Sequence, residues 1–108
     1  MRLVILGAAE SGVGAAVLAQ QKGYEVFVSD MGQIKPRYKE FLDSRHLPWE
    51  EGRHTPELIL NADEVVKSPG IPDDAPMVRR IREKGISVVS EIEFALSLIH
   101  ISEPTRLR

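Results

Sequence analysis

The best candidate for ligand chemistry is a run of small residues that follows the first apolar segment of the chain. Leu3 to Leu6 are all apolar, and Gly7 then begins a glycine- and alanine-rich stretch that reaches Gly12. Between a strand and a helix, such a turn brings backbone amides close to a phosphate, and the helix dipole favours the anion. The positions of the G-x-G-x-x-G fingerprint are filled by Gly7, Ala9 and Gly12. The stretch therefore predicts a phosphate-binding turn, with simple tight packing as the alternative.

Two further features are expected at the same edge of the predicted sheet. Asp30 closes the second apolar run, where an acid in a dinucleotide-binding fold accepts a hydrogen bond from a ribose hydroxyl. The segment from Ser68 to Ile71 follows the fourth predicted strand, and Gly70 within it leaves room for a flat base or sugar. The alternatives are a solvated acid for Asp30 and an ordinary strand-to-helix connection for the loop. Because both follow strands at their carboxyl ends, they predict one ligand cleft.

Composition narrows the class of protein. The chain has 108 residues, of which 43% are hydrophobic and 28% charged, as in a one-domain globular protein. Its net charge is −2 and it has no basic run, which argues against nucleic-acid binding. It has no cysteine, so it has no disulfide or thiolate metal site, and a cytoplasmic location is expected. The first apolar run is too short for a membrane span, so no membrane partner is expected.

The remaining polar residues suggest no catalytic centre. The sequence has no Gly-Lys-Ser or Gly-Lys-Thr, so it has no P-loop for ATP. His46 and His54 are not spaced as metal ligands, and we predict neither a metal site nor a special role for them. Glu91 and Glu93 are two positions apart and point different ways on a helix, which favours a solvated helix start over an acid–base pair.

The elements that position these residues alternate between strand and helix. Hydrophobic runs predict five strands, at residues 2–6, 25–29, 47–51, 64–67 and 86–90. Apolar periodicity and end signals predict helices at about 12–22, 36–45, 56–60 and 75–84, with a turn or helix from 91. This alternation predicts an α/β fold, a Rossmann-like doubly wound parallel sheet of about five strands with helices on both faces.

The carboxyl-terminal segment does not fit this pattern. The residues from Leu96 to Arg106 resemble the translation of a transposon-end adapter used in sequencing libraries. We therefore predict that residues 1–95 form the domain and that residues 96–108 are a non-native tail.

Several motifs in order resemble the N-terminal domain of the Mur ligases, especially the D-glutamate-adding branch. They are residues 5–14, 28–32, 49–52, 67–72 and 90–94, and the Ser-Pro-Gly-Ile loop at Ser68 is among the most specific. The resemblance implies a three-domain enzyme that joins UDP-MurNAc-L-alanine to D-glutamate at the expense of ATP in peptidoglycan synthesis. It implies that the first domain binds the uridine diphosphate end, and that the central ATPase domain with ATP and Mg²⁺ and the C-terminal domain lie outside this chain. No cofactor and no catalysis are then expected here.

The resemblance also assigns substrate-binding residues. The amides of the turn and the Ser11 hydroxyl would meet the diphosphate, and three residues farther along the chain would meet the uridine. These substrate-binding residues are Glu10, Ser11 and Gly12 for the diphosphate, and Asp30, Met31 and Gly70 for the uridine. The sequence departs from the family pattern at Ala9, which stands where a glycine is usual, and Lys35 is a further candidate near the uracil.

Two other functions remain open on sequence alone. An oxidoreductase domain would bind NAD(P) through Gly7, Gly12 and Asp30, but this hypothesis does not account for the loop at Ser68. A regulatory ligand-sensing or partner-docking domain would need an exposed apolar surface, which sequence does not reveal.

Overall fold

A single parallel sheet organises the chain. The computed structural model describes residues 1–101, and it describes side chains as far as Ser97. The strands lie in the order β3-β2-β1-β4-β5, and every pair is parallel. The elements are β1 (Arg2–Leu6), α1 (Glu10–Gln21), β2 (Glu25–Asp30), α2 (Pro36–Ser44), β3 (Trp49–Glu51), α3 (Pro56–Ile59), β4 (Glu64–Lys67), α4 (Pro76–Glu83), β5 (Ser87–Ser90) and α5 (Glu91–Ile101). The predicted α/β class and doubly wound sheet are confirmed.

The central strand explains the unbroken apolar run near the start of the chain. Leu3 and Ile5 belong to a buried cluster that α1, α2 and α5 cover on one face of the sheet. Val4 and Leu6 belong to a second cluster, which α3 and α4 cover on the other face. Because alternate side chains of a strand point to opposite faces, a strand covered on both sides must be apolar throughout.

The turn after β1 is held tightly against the sheet. Gly7 adopts a φ of 103°, which side chains disfavour, and its amide donates a 2.9 Å hydrogen bond to the Ser29 carbonyl of β2. A Cβ at Gly12 would overlap the carbonyl oxygen of Gly7. These two glycines are therefore required by packing, whatever ligand binds nearby.

Two element boundaries differ by two positions from the predicted ones. Helix α1 begins at Glu10, two positions before the predicted start, so Glu10 and Ser11 lie in its first turn. Strand β3 begins at Trp49 instead of residue 47. The reason is that Pro48 has no amide hydrogen to continue the ladder, although its carbonyl accepts a 3.0 Å bond from Val28.

Helix α5 begins with a reciprocal cap. The Glu93 amide donates to Ser90 Oγ at 3.0 Å, and the Ser90 amide donates to Glu93 Oε1 at 2.8 Å. The predicted solvated start describes Glu93, but it is wrong for Glu91, whose exposed fraction is 8%. The predicted domain end at residue 95 falls inside α5, and the tail's last residues, 102–108, lie outside the described part of the chain. The assignment of a non-native tail stays a prediction.

Candidate functional site

A cleft of about 710 Å³ opens at the carboxyl edge of the sheet. It lies where the strand order reverses between β1 and β4, the place where open α/β folds bind ligands. Loops after four strands and the first turns of α4 line it: Leu6, Gly7, Ala8, Ala9, Asp30, Met31, Arg53, His54, Ser68, Gly70, Ile71, Pro72, Ala75, Pro76, Met77, Val78 and Arg80.

The structure divides the predicted binding residues between this cleft and the start of α1. Asp30, Met31 and Gly70, the three residues assigned to uridine, all line the cleft. Ser11 lines an adjacent groove of about 470 Å³. Glu10 is exposed in the first turn of α1, whereas Gly12 is buried beneath it. The small residues Ala8 and Ala9 join the two places, since both line the cleft and Ala9 directly precedes the helix.

The first turn of α1 presents amides without acceptors. The N-cap residue is Ala9, whose side chain has no oxygen to accept a hydrogen bond. Among backbone atoms of residues 1–101 and side chains of residues 1–97, none accepts a hydrogen bond from the amides of Glu10, Ser11 or Gly12. Free amides at a helix start, together with the helix dipole, favour an anion such as a phosphate.

Asp30 connects the turn to the end of β2. Its Oδ2 accepts a 2.8 Å hydrogen bond from the amide of Ala8, and its Oδ1 accepts one of 2.8 Å from the amide of Gly32. Ala8 is buried, so loss of the carboxylate would leave its amide unpaired. Asp30 thus fixes the shape of the cleft floor in addition to lining it.

The loop after β4 is held by a partly buried lysine. Lys67 Nζ donates to the carbonyl of Ile71 at 2.6 Å and to that of Ser68 at 3.3 Å, and pairs with Asp73 at 3.4 Å. At Gly70 a Cβ would come no closer than 3.9 Å, to Ser68 Oγ. The space beside Gly70 therefore belongs to the cleft and not to the protein interior.

A polar cluster forms the wall of the cleft beyond Asp30. Ser29 Oγ lies 2.8 Å from Glu50 Oε2 and 2.7 Å from His54 Nδ1, and Glu50 also accepts a 2.8 Å bond from the Thr55 amide. Burial raises the pKa of Glu50, but the bonds from Thr55 and Ser29 outweigh it and leave that pKa below its usual value. Burial lowers the pKa of His54, against the opposing charges of Glu50 and Asp30. The cluster therefore holds an ionised carboxylate and a neutral imidazole.

Positive charge reaches the cleft from two directions. Arg53 follows β3 and Arg80 lies on α4, and both are exposed where they line the cleft. Lys35, the other predicted basic residue, is exposed but is not among the cleft residues. Among the side chains that the structure describes, as far as Ser97, no cluster could hold a metal ion. No helix within residues 1–101 is long and apolar enough to cross a membrane.

Comparison with known families identifies the domain. The model of the MurD N-terminal domain matches residues 2–77, more than half of the chain. The chain belongs to the MurD N-terminal domain family.

Curated relatives agree with this membership. The chain is 67% identical over 94 residues to the UDP-N-acetylmuramoylalanine--D-glutamate ligase of Bacteroides thetaiotaomicron, and 62% identical over 93 residues to that of Porphyromonas gingivalis. These matches cover 87% and 86% of this chain but 21% of each relative. The chain thus spans about a fifth of the length of the ligases that it matches.

Solved structures share the fold of this MurD N-terminal domain. A UDP-N-acetylmuramate-alanine ligase from Thermotoga maritima matches with a TM-score of 0.79 at 19% identity, over 95% of this chain and 24% of that one. A pseudomurein peptide ligase type C from Methanothermus fervidus matches with a TM-score of 0.73 at 24% identity, over 89% of this chain and 20% of that one. At these identities the likeness concerns the fold.

Sequence reasoning missed two residues of this MurD N-terminal domain. His54, for which no special role was expected, lines the cleft and makes a hydrogen bond with Ser29. Lys67 was not singled out, although it holds the loop around Gly70. The sequence carries two weak signals for these roles. A serine, Ser29, lies inside the apolar strand β2, and a lysine, Lys67, ends the apolar strand β4.

Proposed function

We propose that this chain binds the uridine diphosphate end of UDP-MurNAc-L-alanine, as the first domain of a UDP-N-acetylmuramoylalanine--D-glutamate ligase. The observation that carries the proposal is the cleft at the strand-order reversal, next to a helix start with three unpaired amides. Membership of the MurD N-terminal domain family supports the same ligand class.

The two parts of the ligand take different sites in this proposal. The diphosphate lies at the start of α1, on the amides of Glu10, Ser11 and Gly12 and the Ser11 hydroxyl. The uridine lies in the cleft, beside Asp30 and with its ring against the bare backbone of Gly70. The positions of Ala8 and Ala9 between the two sites support one continuous ligand.

An NAD(P)-binding oxidoreductase domain is the alternative. Gly7, Gly12 and Asp30 would bind NAD(P) equally well. A dinucleotide-binding domain has the same kind of glycine turn after its first strand and an acid at the end of its second strand. Family membership favours the ligase, and so do the relatives' names.

In this proposal, the ATP-dependent ligation takes place in other domains of a longer protein. ATP, Mg²⁺ and D-glutamate would bind in a central and a C-terminal domain, since this sequence has no P-loop. We propose that the chain alone has no ligase activity and that the whole enzyme works in the cytoplasm, in cell-wall synthesis.

The test is a calorimetric titration of the chain with UDP and with NAD, repeated on two variants of Gly70. The φ of Gly70 is one that other residues adopt, and a Cβ there meets nothing closer than 3.9 Å. We expect Gly70→Leu to fill the cleft and weaken UDP binding tenfold or more, whereas Gly70→Ala retains most of it. Both variants should melt within a few degrees of the parent, since about 0.5 kcal/mol is typical of a tolerated surface change.

Each outcome bears on one of the two functions. UDP binding that Gly70→Leu weakens, with no heat from NAD, supports the proposal. NAD binding without UDP binding would replace it by the oxidoreductase alternative, and UDP binding unaffected by Gly70→Leu would move the ligand out of the cleft.

A further inference from the structure

A chain of hydrogen bonds leads from the buried carboxylate of Glu50 to His54, a half-buried residue that lines the cleft. Glu50 and Ser29 have exposed fractions of 8% and 0%. Ser29 Oγ lies between Glu50 Oε2, at 2.8 Å, and His54 Nδ1, at 2.7 Å. These distances require a hydrogen in each contact, because two bare acceptors would repel each other.

Counting hydrogens fixes the tautomer of His54. The ionised carboxylate of Glu50 only accepts, and so does the Arg53 carbonyl, which lies 3.2 Å from Ser29 Oγ. The one hydroxyl hydrogen of Ser29 therefore points to these acceptors, with Glu50 the nearer at 2.8 Å, and not to His54. The hydrogen between Ser29 and His54 must then sit on Nδ1. Since burial keeps the ring neutral, by lowering the pKa of His54, Nε2 carries a lone pair.

Nε2, which carries this lone pair, is the polar atom of the ring that remains to meet a ligand in the cleft. His54 lines the cleft, its Nδ1 faces Ser29, and Nε2 is on the far side of the ring. In the described part of the chain no residue is hydrogen-bonded to Nε2. Asp30, the carboxylate nearby, already accepts from the amides of Ala8 and Gly32.

We propose that His54 Nε2 accepts a hydrogen bond from the N3–H of uracil, so that Glu50 and Ser29 make His54 a specificity residue for uridine over cytidine nucleotides. The inference rests on the proposed function, because it places a uridine in this cleft. Uracil carries a hydrogen at N3, whereas cytosine has a lone pair there. Cytosine would set that lone pair against the one on Nε2 and leave both unpaired.

Protonation of His54 should weaken this preference for uridine. A proton on Nε2 turns the atom into a donor, which suits N3 of cytosine and not N3–H of uracil. The charged groups around the ring are Glu50 and Asp30 on the sheet side and Arg53 and Arg80 at the cleft. The ratio of UDP to CDP affinity should therefore fall as the pH is lowered through the pKa of His54.

The experiment compares UDP with CDP, because the two share the diphosphate and the ribose. Calorimetric titrations at neutral pH and at a pH near 5 would use the parent chain and two variants. His54→Asn keeps an amide near the position of Nδ1 for Ser29 but removes Nε2. His54→Gln places an amide near Nε2 that can turn to donate or accept.

We expect the parent to prefer UDP about tenfold at neutral pH, the equivalent of one unmatched hydrogen bond. The preference should shrink at low pH, and both variants should bind the two nucleotides almost equally at either pH. Long-range proton–nitrogen spectra of the ligand-free chain should show hydrogen on Nδ1 of His54, and Ser29→Ala should mix the tautomers.

Failure of the inference is distinct from failure of the proposed function. UDP binding with no preference over CDP, or hydrogen on Nε2 in the spectra, would overturn the role of His54 and leave the cleft as the nucleotide site. Absence of any UDP binding would overturn both. A preference retained in His54→Asn would assign the discrimination to another residue.

Discussion

At the residue scale, the polar side chains of the cleft are held by the fold where we propose that a ligand binds. Asp30 uses both carboxylate oxygens to hold backbone amides of the cleft floor. His54 uses Nδ1 to complete the bonds of a buried serine. The proposed ligand would therefore meet groups whose orientation is already fixed, which would lower the entropy lost on binding.

The cluster of Glu50 and His54 predicts how stability depends on pH. The pKa of His54 is below its usual 6.5 in the folded chain, so the unfolded chain binds more protons as the pH falls below that value. The free energy of unfolding should therefore decrease from about pH 7 downwards. Glu50, whose pKa is also lowered, should add a second loss as the pH falls through 4.5. Urea titrations over a range of pH would measure both.

One histidine variant separates the first loss from other titrations. His54→Asn removes the imidazole whose pKa burial lowers, so it should flatten the curve between pH 7 and 5. An unchanged slope in His54→Asn would contradict the assignment.

At the element scale, Phe94 is the apolar anchor in the part of α5 whose side chains the structure describes, residues 91–97. Phe94 is buried in the cluster on the α1 face, and its ring lies 5.9 Å from that of Tyr24. Ile92, two positions away, has an exposed fraction of 72%. The reciprocal cap of Ser90 and Glu93 sets where the helix starts, but Phe94 sets how it docks.

Truncating Phe94 should lower the stability of the chain far more than truncating Ile92. Phe94→Ala should lower the free energy of unfolding by about 3–5 kcal/mol, because it leaves a cavity and removes a large apolar contact. Ile92→Ala should change it by less than about 0.5 kcal/mol, since little area is buried. Chemical denaturation followed by circular dichroism would measure both. Equal losses would mean that α5 packs differently.

At the scale of the whole molecule, two cores share one sheet. The cluster under α1, α2 and α5 and the cluster under α3 and α4 lie on opposite faces of the same strands. Strand β1 contributes Leu3 and Ile5 to one and Val4 and Leu6 to the other. Neither cluster can lose its packing without disturbing the strands of the other, so we expect one cooperative transition.

The single tryptophan offers a test of that cooperativity. Trp49 packs against the α1-face cluster, whereas Ile81 is fully buried in the opposite one. Ile81→Ala should lower the free energy of unfolding by about 2–5 kcal/mol and shift the tryptophan fluorescence and circular dichroism midpoints together. A loss of helical signal before the fluorescence change would show that the faces unfold separately.

The sequence by itself determined the sheet, the helices and most of the cleft edge. A continuous apolar run such as Val4 to Leu6 predicts a buried strand, and apolar residues at helical spacing predict a helix. The reason is that an element buried on one or two faces is apolar at each position that faces the core. The glycine turn and Asp30 follow strands at their carboxyl ends, so their shared edge follows from a parallel sheet.

Only the tertiary structure decided which side chains meet. Ser29, Glu50 and His54 come from β2, β3 and the following loop, and no local pattern encodes their register. The burial of Glu91 likewise depends on how α5 packs beside α1. The physical reason is that local sequence sets backbone preference, whereas contacts between distant residues arise only when the strands align and the helices pack.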